Sequence, residues 1–276
     1  MENPVTKTCS ENLGKPTMKL PILKGLVTTY VSLVLLSAIG CNNESVGSDN
    51  IKTAGIWASM EARASEGGTR VNVELNVGGS NGTNLELSNN EYLEANNAGT
   101  TIELSKDFDF LDIDYQGYFS NNDTNALFSV VFVREDGTRI SGSRVNLPTY
   151  FDITQPENNE TFPFNGQVDL TWGPAIEDGR INFESRLTCR TLSGGTTTRS
   201  LQNNAAINDD GIYTIVFADS AAFASGTSEL NTQIPCNVKL TLSRINSGTV
   251  SSEFESGSRF RAIQTRSVEF LLNLSQ

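Results

Sequence analysis

Two neighbouring stretches of strict alternation constrain this chain most. Ile56, Ala58, Met60, Ala62 and Ala64 alternate with Trp57, Ser59, Glu61 and Arg63. After a Glu66-Gly67-Gly68 turn, Val71, Val73, Leu75 and Val77 alternate with Asn72, Glu74 and Asn76. Successive side chains on a strand point to opposite faces, so a period of two with one apolar parity predicts a hairpin with one face in a core. The pattern recurs in shorter pieces at Leu85 and Leu87, at Ile102 and Leu104, and from Phe108 to Tyr118. It closes with Phe128, Val130 and Phe132, a Glu135-Asp136-Gly137 turn, and a return through Ile140 and Val145. Short strands at this spacing predict a β-sandwich over 51–149. Pro148 breaks the last strand and sets a boundary at Leu147–Tyr150.

Beyond that boundary, Ile153-Thr154-Gln155-Pro156-Glu157-Asn158-Asn159 is followed by Val168-Asp169-Leu170-Thr171-Trp172. Further on stands Asp209-Asp210-Gly211-Ile212-Tyr213. These runs resemble the opening strands and the tyrosine corner of immunoglobulin-like and fibronectin-type-III-like domains. The resemblance implies a second sandwich over 150–276, with Trp172 as a core anchor. Alternation from Ile263 through Val268, Phe270 and Leu272 predicts its last strand.

Upstream, Met18-Lys19-Leu20 and Lys24 precede an uncharged run from Gly25 that ends Ala38-Ile39-Gly40-Cys41. Basic residues, a short apolar segment and small residues before a cysteine follow the layout of a secretory signal. The run is shorter than the ~20 apolar residues a spanning helix needs. It resembles the lipobox signal of bacterial prolipoproteins. That resemblance implies removal of residues 1–40, with Met18 as the true start and the signal segment helical, and acylation of Cys41. It also implies a place on the outer membrane of the cell envelope, on its periplasmic or surface face. Residues 41–50 (CNNESVGSDN) hold almost nothing apolar and are expected to form a tether reaching ~33 Å.

With Cys41 acylated in this reading, Cys189 and Cys236 remain as one pair in an oxidising compartment, where a disulfide persists. Two buried free thiols are the alternative. The net charge of −12 becomes more negative once the signal, with its four Lys and two Glu, is removed. Such a surface excludes nucleic acid as a partner and leaves the acyl chains, rather than basic residues, to hold the membrane.

The chain contains no histidine, which removes Ser-His-Asp and Cys-His catalysis and histidine-ligated zinc together. Gly78-Gly79-Ser80-Asn81-Gly82 matches the G-x-S-x-G pattern but joins two expected strands, so Ser80 is read as a turn residue. Asp107, Asp109, Asp112 and Asp114 flank Phe108, Phe110, Leu111, Ile113 and Tyr115. If both apolar parities enter the core, a bulge at Phe110–Leu111 gathers the four aspartates on one outward face. Calcium is then the cation that fits, and a solvated acidic strand is the alternative. Trp57 falls on the outward parity of its strand and is a candidate platform for sugar stacking.

The expectation is an all-β protein with an N-terminal signal helix and two β-sandwich domains in tandem. It is a lipid-anchored envelope protein without catalysis or cofactor, binding or spacing an envelope protein or polysaccharide. A carbohydrate- or calcium-binding module is the first alternative. A glycosidase-like enzyme with two carboxylates is the second.

Overall fold

The computed structural model describes residues 45–109, 112–201 and 205–275. The signal segment and Cys41 lie outside the described residues. The first sandwich is built from ten strands. They are β1 (Val46–Gly47), β2 (Ile56–Ser65), β3 (Gly68–Val77), β4 (Thr83–Glu86) and β5 (Tyr92–Asn97), then β6 (Thr100–Glu103), β7 (Ser105–Asp109), β8 (Asp112–Phe119), β9 (Leu127–Val133) and β10 (Arg139–Asn146). The expected hairpin is present as β2 and β3, in register from Ile56 opposite Val77 to Ser65 opposite Gly68. Gly68 sits at φ +136°, where a Cβ would strike the Phe119 carbonyl, so the turn requires glycine. The apolar parities of β2 and β3 are buried and face a second sheet ordered β10-β9-β5-β6. Between the sheets Phe119 meets Phe128 edge-on, with ring centroids 5.4 Å apart.

The second sandwich comprises β11 (Asp152–Gln155), β12 (Thr161–Pro163), β13 (Gln167–Gly173), β14 (Arg180–Arg190) and β15 (Thr196–Arg199), followed by β16 (Ala205–Asn208), β17 (Ile212–Val216), β18 (Cys236–Ser247) and β19 (Arg259–Asn273). A sheet ordered β11-β13-β17 packs on β15-β14-β18-β19. Val168, Leu170 and Trp172 are buried between them, in the core role implied for Trp172. Cys189 at the end of β14 is joined to Cys236 at the start of β18 by a buried disulfide, with Cα atoms 4.4 Å apart.

The sandwiches follow one another along the chain but are not separate along their length. β18 and β19 form a hairpin in unbroken register from Cys236 opposite Leu272 to Ser247 opposite Arg261. The first half of β19 also pairs in parallel with β2, from Arg259 opposite Ser59 to Gln264 opposite Ala64. Its connecting loop closes one end of the first core. Phe254 stacks on Phe132 at 6.3 Å, and the Glu255 amide donates to the Ile56 carbonyl at 2.9 Å. Phe254, Phe260 and Ala262, which the sequence places in the second sandwich, therefore belong to the first core. One sheet runs through both, and the described residues lie in one compact unit.

The stretch expected to be free tether is docked from Val46 onward. β1 runs parallel to β4, with Val46 opposite Leu85. Ser48 is wholly buried, and its hydroxyl donates to Glu91 and accepts from the Ser88 amide at 2.9 Å. Arg134 pairs with Glu91 at 2.7 Å and donates to the carbonyls of Ser48 and Ile51. A polar latch, rather than apolar burial, holds this segment, which is why the hydrophobic pattern missed it.

Candidate functional site

Trp57 is not a free platform. Its parity is the one expected, opposite Ala58 and Met60, but the ring is only 5% exposed. The loop before β19 covers it. Trp57 Nε1 donates to the Gly257 carbonyl at 2.9 Å, and the Arg259 guanidinium lies 5.3 Å from the ring centroid. The covering residues lie two hundred positions away, so strand parity alone gives the wrong exposure.

The aspartates flank a hairpin instead of a bulge in one strand. β7 and β8 pair antiparallel, Asp107 opposite Asp114 and Asp109 opposite Asp112, which puts the four positions on one face by register. Asp107 accepts from the Gln116 amide at 2.8 Å, and Asp112 accepts from the Ile113 amide at 3.0 Å. Among the described residues no group of three or more His, Cys, Asp or Glu has the geometry to hold a metal ion. The other face departs from expectation. Ile113 and Tyr115 are buried, but Phe108 is 69% exposed. Among the described residues β7 pairs with β8 alone, at the edge of the sheet.

Where the sandwiches meet, two arginines fix the linker. Both occupy inward positions of the long hairpin, where the pattern calls for apolar residues. Arg244 is buried and grips Asp209 with two bonds, Nε to Oδ2 at 2.7 Å and Nη2 to Oδ1 at 2.8 Å. Asp209 Oδ1 also accepts from Trp172 Nε1 at 2.8 Å. The same guanidinium donates to the carbonyls of Thr149 and Pro174 and lies 4.7 Å from the Phe151 ring centroid. Arg266 stacks on Tyr150 at 4.3 Å. Its Nη1 donates to the Thr265 carbonyl at 2.7 Å, while among the described residues Nε and Nη2 have no hydrogen-bond acceptor. The Asp152 carboxylate stands 3.6 Å from Nε. Arg266 borders a polar groove of about 590 Å³, together with Ser65, Asn158, Asn159, Thr265 and Ser267. Charged residues at inward strand positions were the one sequence signal for this junction.

The groups whose titration departs from ordinary values are spread over the molecule and do not converge on one cleft. The Lys106 ammonium, hydrogen-bonded to Glu86, holds that carboxyl below the usual range. Hydrogen bonds from Thr138 lower Asp136, and those from Thr214 and Gln167 lower Asp169. Burial raises the Tyr115 phenol. These three carboxylates move in the direction opposite to the one a general acid requires.

No family model matches the chain, and no curated protein matches it. Among solved structures it is similar to the fibronectin(III)-like modules of Clostridium thermocellum CbhA, at 13% identity, covering 79% of this chain and 95% of that one with a TM-score of 0.21. It is also similar to a two-domain fibronectin type-III segment of chicken tenascin, at 9% identity over 78% of this chain and 97% of that one, TM-score 0.20. Chicken CNTN1 domains FN1–FN3 match at 10% identity over 84% of this chain and 68% of that one, TM-score 0.22. The sheet order and the two buried cores define the two sandwiches.

Proposed function

We infer that this is a lipid-anchored protein of the bacterial outer membrane that acts as a non-catalytic binding or structural module, presenting its second sandwich away from the lipid. The observation that carries this reading is the place where the chain enters the fold. β1 joins the first sandwich beside β4, whose pairing at Asn84 and Asn76 lies at the end remote from the second sandwich. An anchor at Cys41 would therefore hold one pole, and the long hairpin would carry the other outward. The test is mass spectrometry of the mature N-terminus. A Cys41 carrying a diacylglycerol on its sulfur and an acyl chain on its amine is expected, with Cys41→Ala protein leaving the detergent phase; an unmodified Cys41 would end the reading.

A second reading, binding of polysaccharide in the junction groove, is favoured by its polar lining, in which Ser65, Asn158, Asn159 and Ser267 stand beside the charged Glu66, Lys239 and Glu269. Loss of binding to envelope polysaccharide in Lys239→Ala, with the melting temperature retained, is the expected result, because Lys239 lines the groove and is exposed. Unchanged binding in that variant would remove it.

A further inference from the structure

We propose that the surface around the tether exit, centred on Phe108, rests on the headgroup layer of the membrane. The proposal extends the lipid-anchor reading and depends on it. Four residue steps separate Cys41 from Ser45, and a fully extended chain covers at most about 14 Å over that length. Ser45 is already part of the body. Its hydroxyl donates to Glu86 at 3.2 Å, Glu86 pairs with Lys106, and the Lys106 ammonium stands 6.0 Å from the Phe108 ring centroid. Successive contacts thus link the short leash to a phenylalanine left in water. Val46, also exposed, lies beside the same exit. The Ser48–Glu91–Arg134 latch prevents the leash from lengthening by peeling back.

An aromatic ring flanked by a lysine suits the boundary between headgroups and acyl chains. Charge selects the kind of lipid. Lys106 is matched by Glu86, and Asp107 and Asp112 occupy the opposite face of the same hairpin, so the hairpin end as a whole is net acidic. Anionic headgroups would be repelled, and zwitterionic headgroups can offer their ammonium groups to the carboxylates. The surface therefore fits a phosphatidylethanolamine-type or phosphatidylcholine-type leaflet.

The experiment uses the mature acylated protein in phosphatidylcholine vesicles containing brominated lipid. Trp57 and Trp172 are buried and supply a constant background. A tryptophan is introduced in Phe108→Trp and, as the remote control, in Leu192→Trp at the exposed β14–β15 turn of the second sandwich. Quenching several-fold stronger in Phe108→Trp, accompanied by a blue shift and weakened by added anionic lipid, is the expected result. Equal quenching of the two variants, with Cys41 acylated by mass, overturns this proposal and leaves the anchor intact. An unmodified Cys41 overturns both. Independently of any variant's folding, the amides of Lys106 and Phe108 in the wild type should exchange more slowly on vesicles than in soluble Cys41→Ala protein; equal rates would also overturn the proposal.

Discussion

At Asp209 two carboxylate oxygens accept from an indole and from the Nε and Nη2 of a guanidinium, and all three side chains are buried. Removing one partner leaves the other charged and dry, so Asp209→Ala is expected to destabilise the fold by about 3–5 kcal/mol. Replacing Asp209 and Arg244 together by apolar residues should be far milder. Urea denaturation of the three variants checks this, and equal losses in the single and double variants would contradict it. Trp57 gives the complementary case. Because it is packed rather than presented, Trp57→Ala should lower stability by ~3–5 kcal/mol. It should leave polysaccharide binding, where present, unchanged in the fraction that remains folded, as measured by denaturation and a binding titration.

Among the elements, the β2–β3 hairpin was legible in the sequence because alternation with one apolar parity has a single physical meaning. The Cys189–Cys236 bridge joins neighbouring strands and closes a 47-residue separation, for which chain entropy gives roughly 4 kcal/mol. Reduction should lower the unfolding midpoint accordingly, and two alkylatable thiols in the unreduced, unfolded protein would disprove the bridge. β1 was not legible, since polar bonds and not apolar burial hold it. Phe108 was misplaced for a related reason: parity says which way a side chain points, but not whether another layer lies there. The contact between Ser45 and Glu86, at the start of β1, also carries a pH signature. Glu86 has its pKa lowered by Lys106, so its contribution is present above the ordinary carboxylate range and is lost as the pH falls through the depressed value. Hydrogen exchange at Val46 and Gly47 should therefore stay slow on mild acidification and accelerate only below that range. In Lys106→Gln the acceleration should appear at a higher pH.

For the whole molecule, the long hairpin decides whether two sandwiches mean two folding units. The first core lacks Phe254, Phe260 and Ala262 until the C-terminal strand arrives, so a fragment ending at Tyr150 should not fold. The intact chain should melt in one transition, with calorimetric and van't Hoff enthalpies equal. Two separated transitions would show that β19 does not couple them. The boundary near Pro148 was readable because proline breaks a strand; the return of the chain was not, because alternation carries no record of which sheet a strand joins. β19 spans about 50 Å at ~3.3 Å per residue. A tug on the second sandwich along this axis loads the β2–β19 ladder in shear, all six rungs together, whereas a hinged tandem would swing and unzip one rung at a time. Resistance to stretching between the two sandwiches is thus set by backbone ladders and not by a loop between domains.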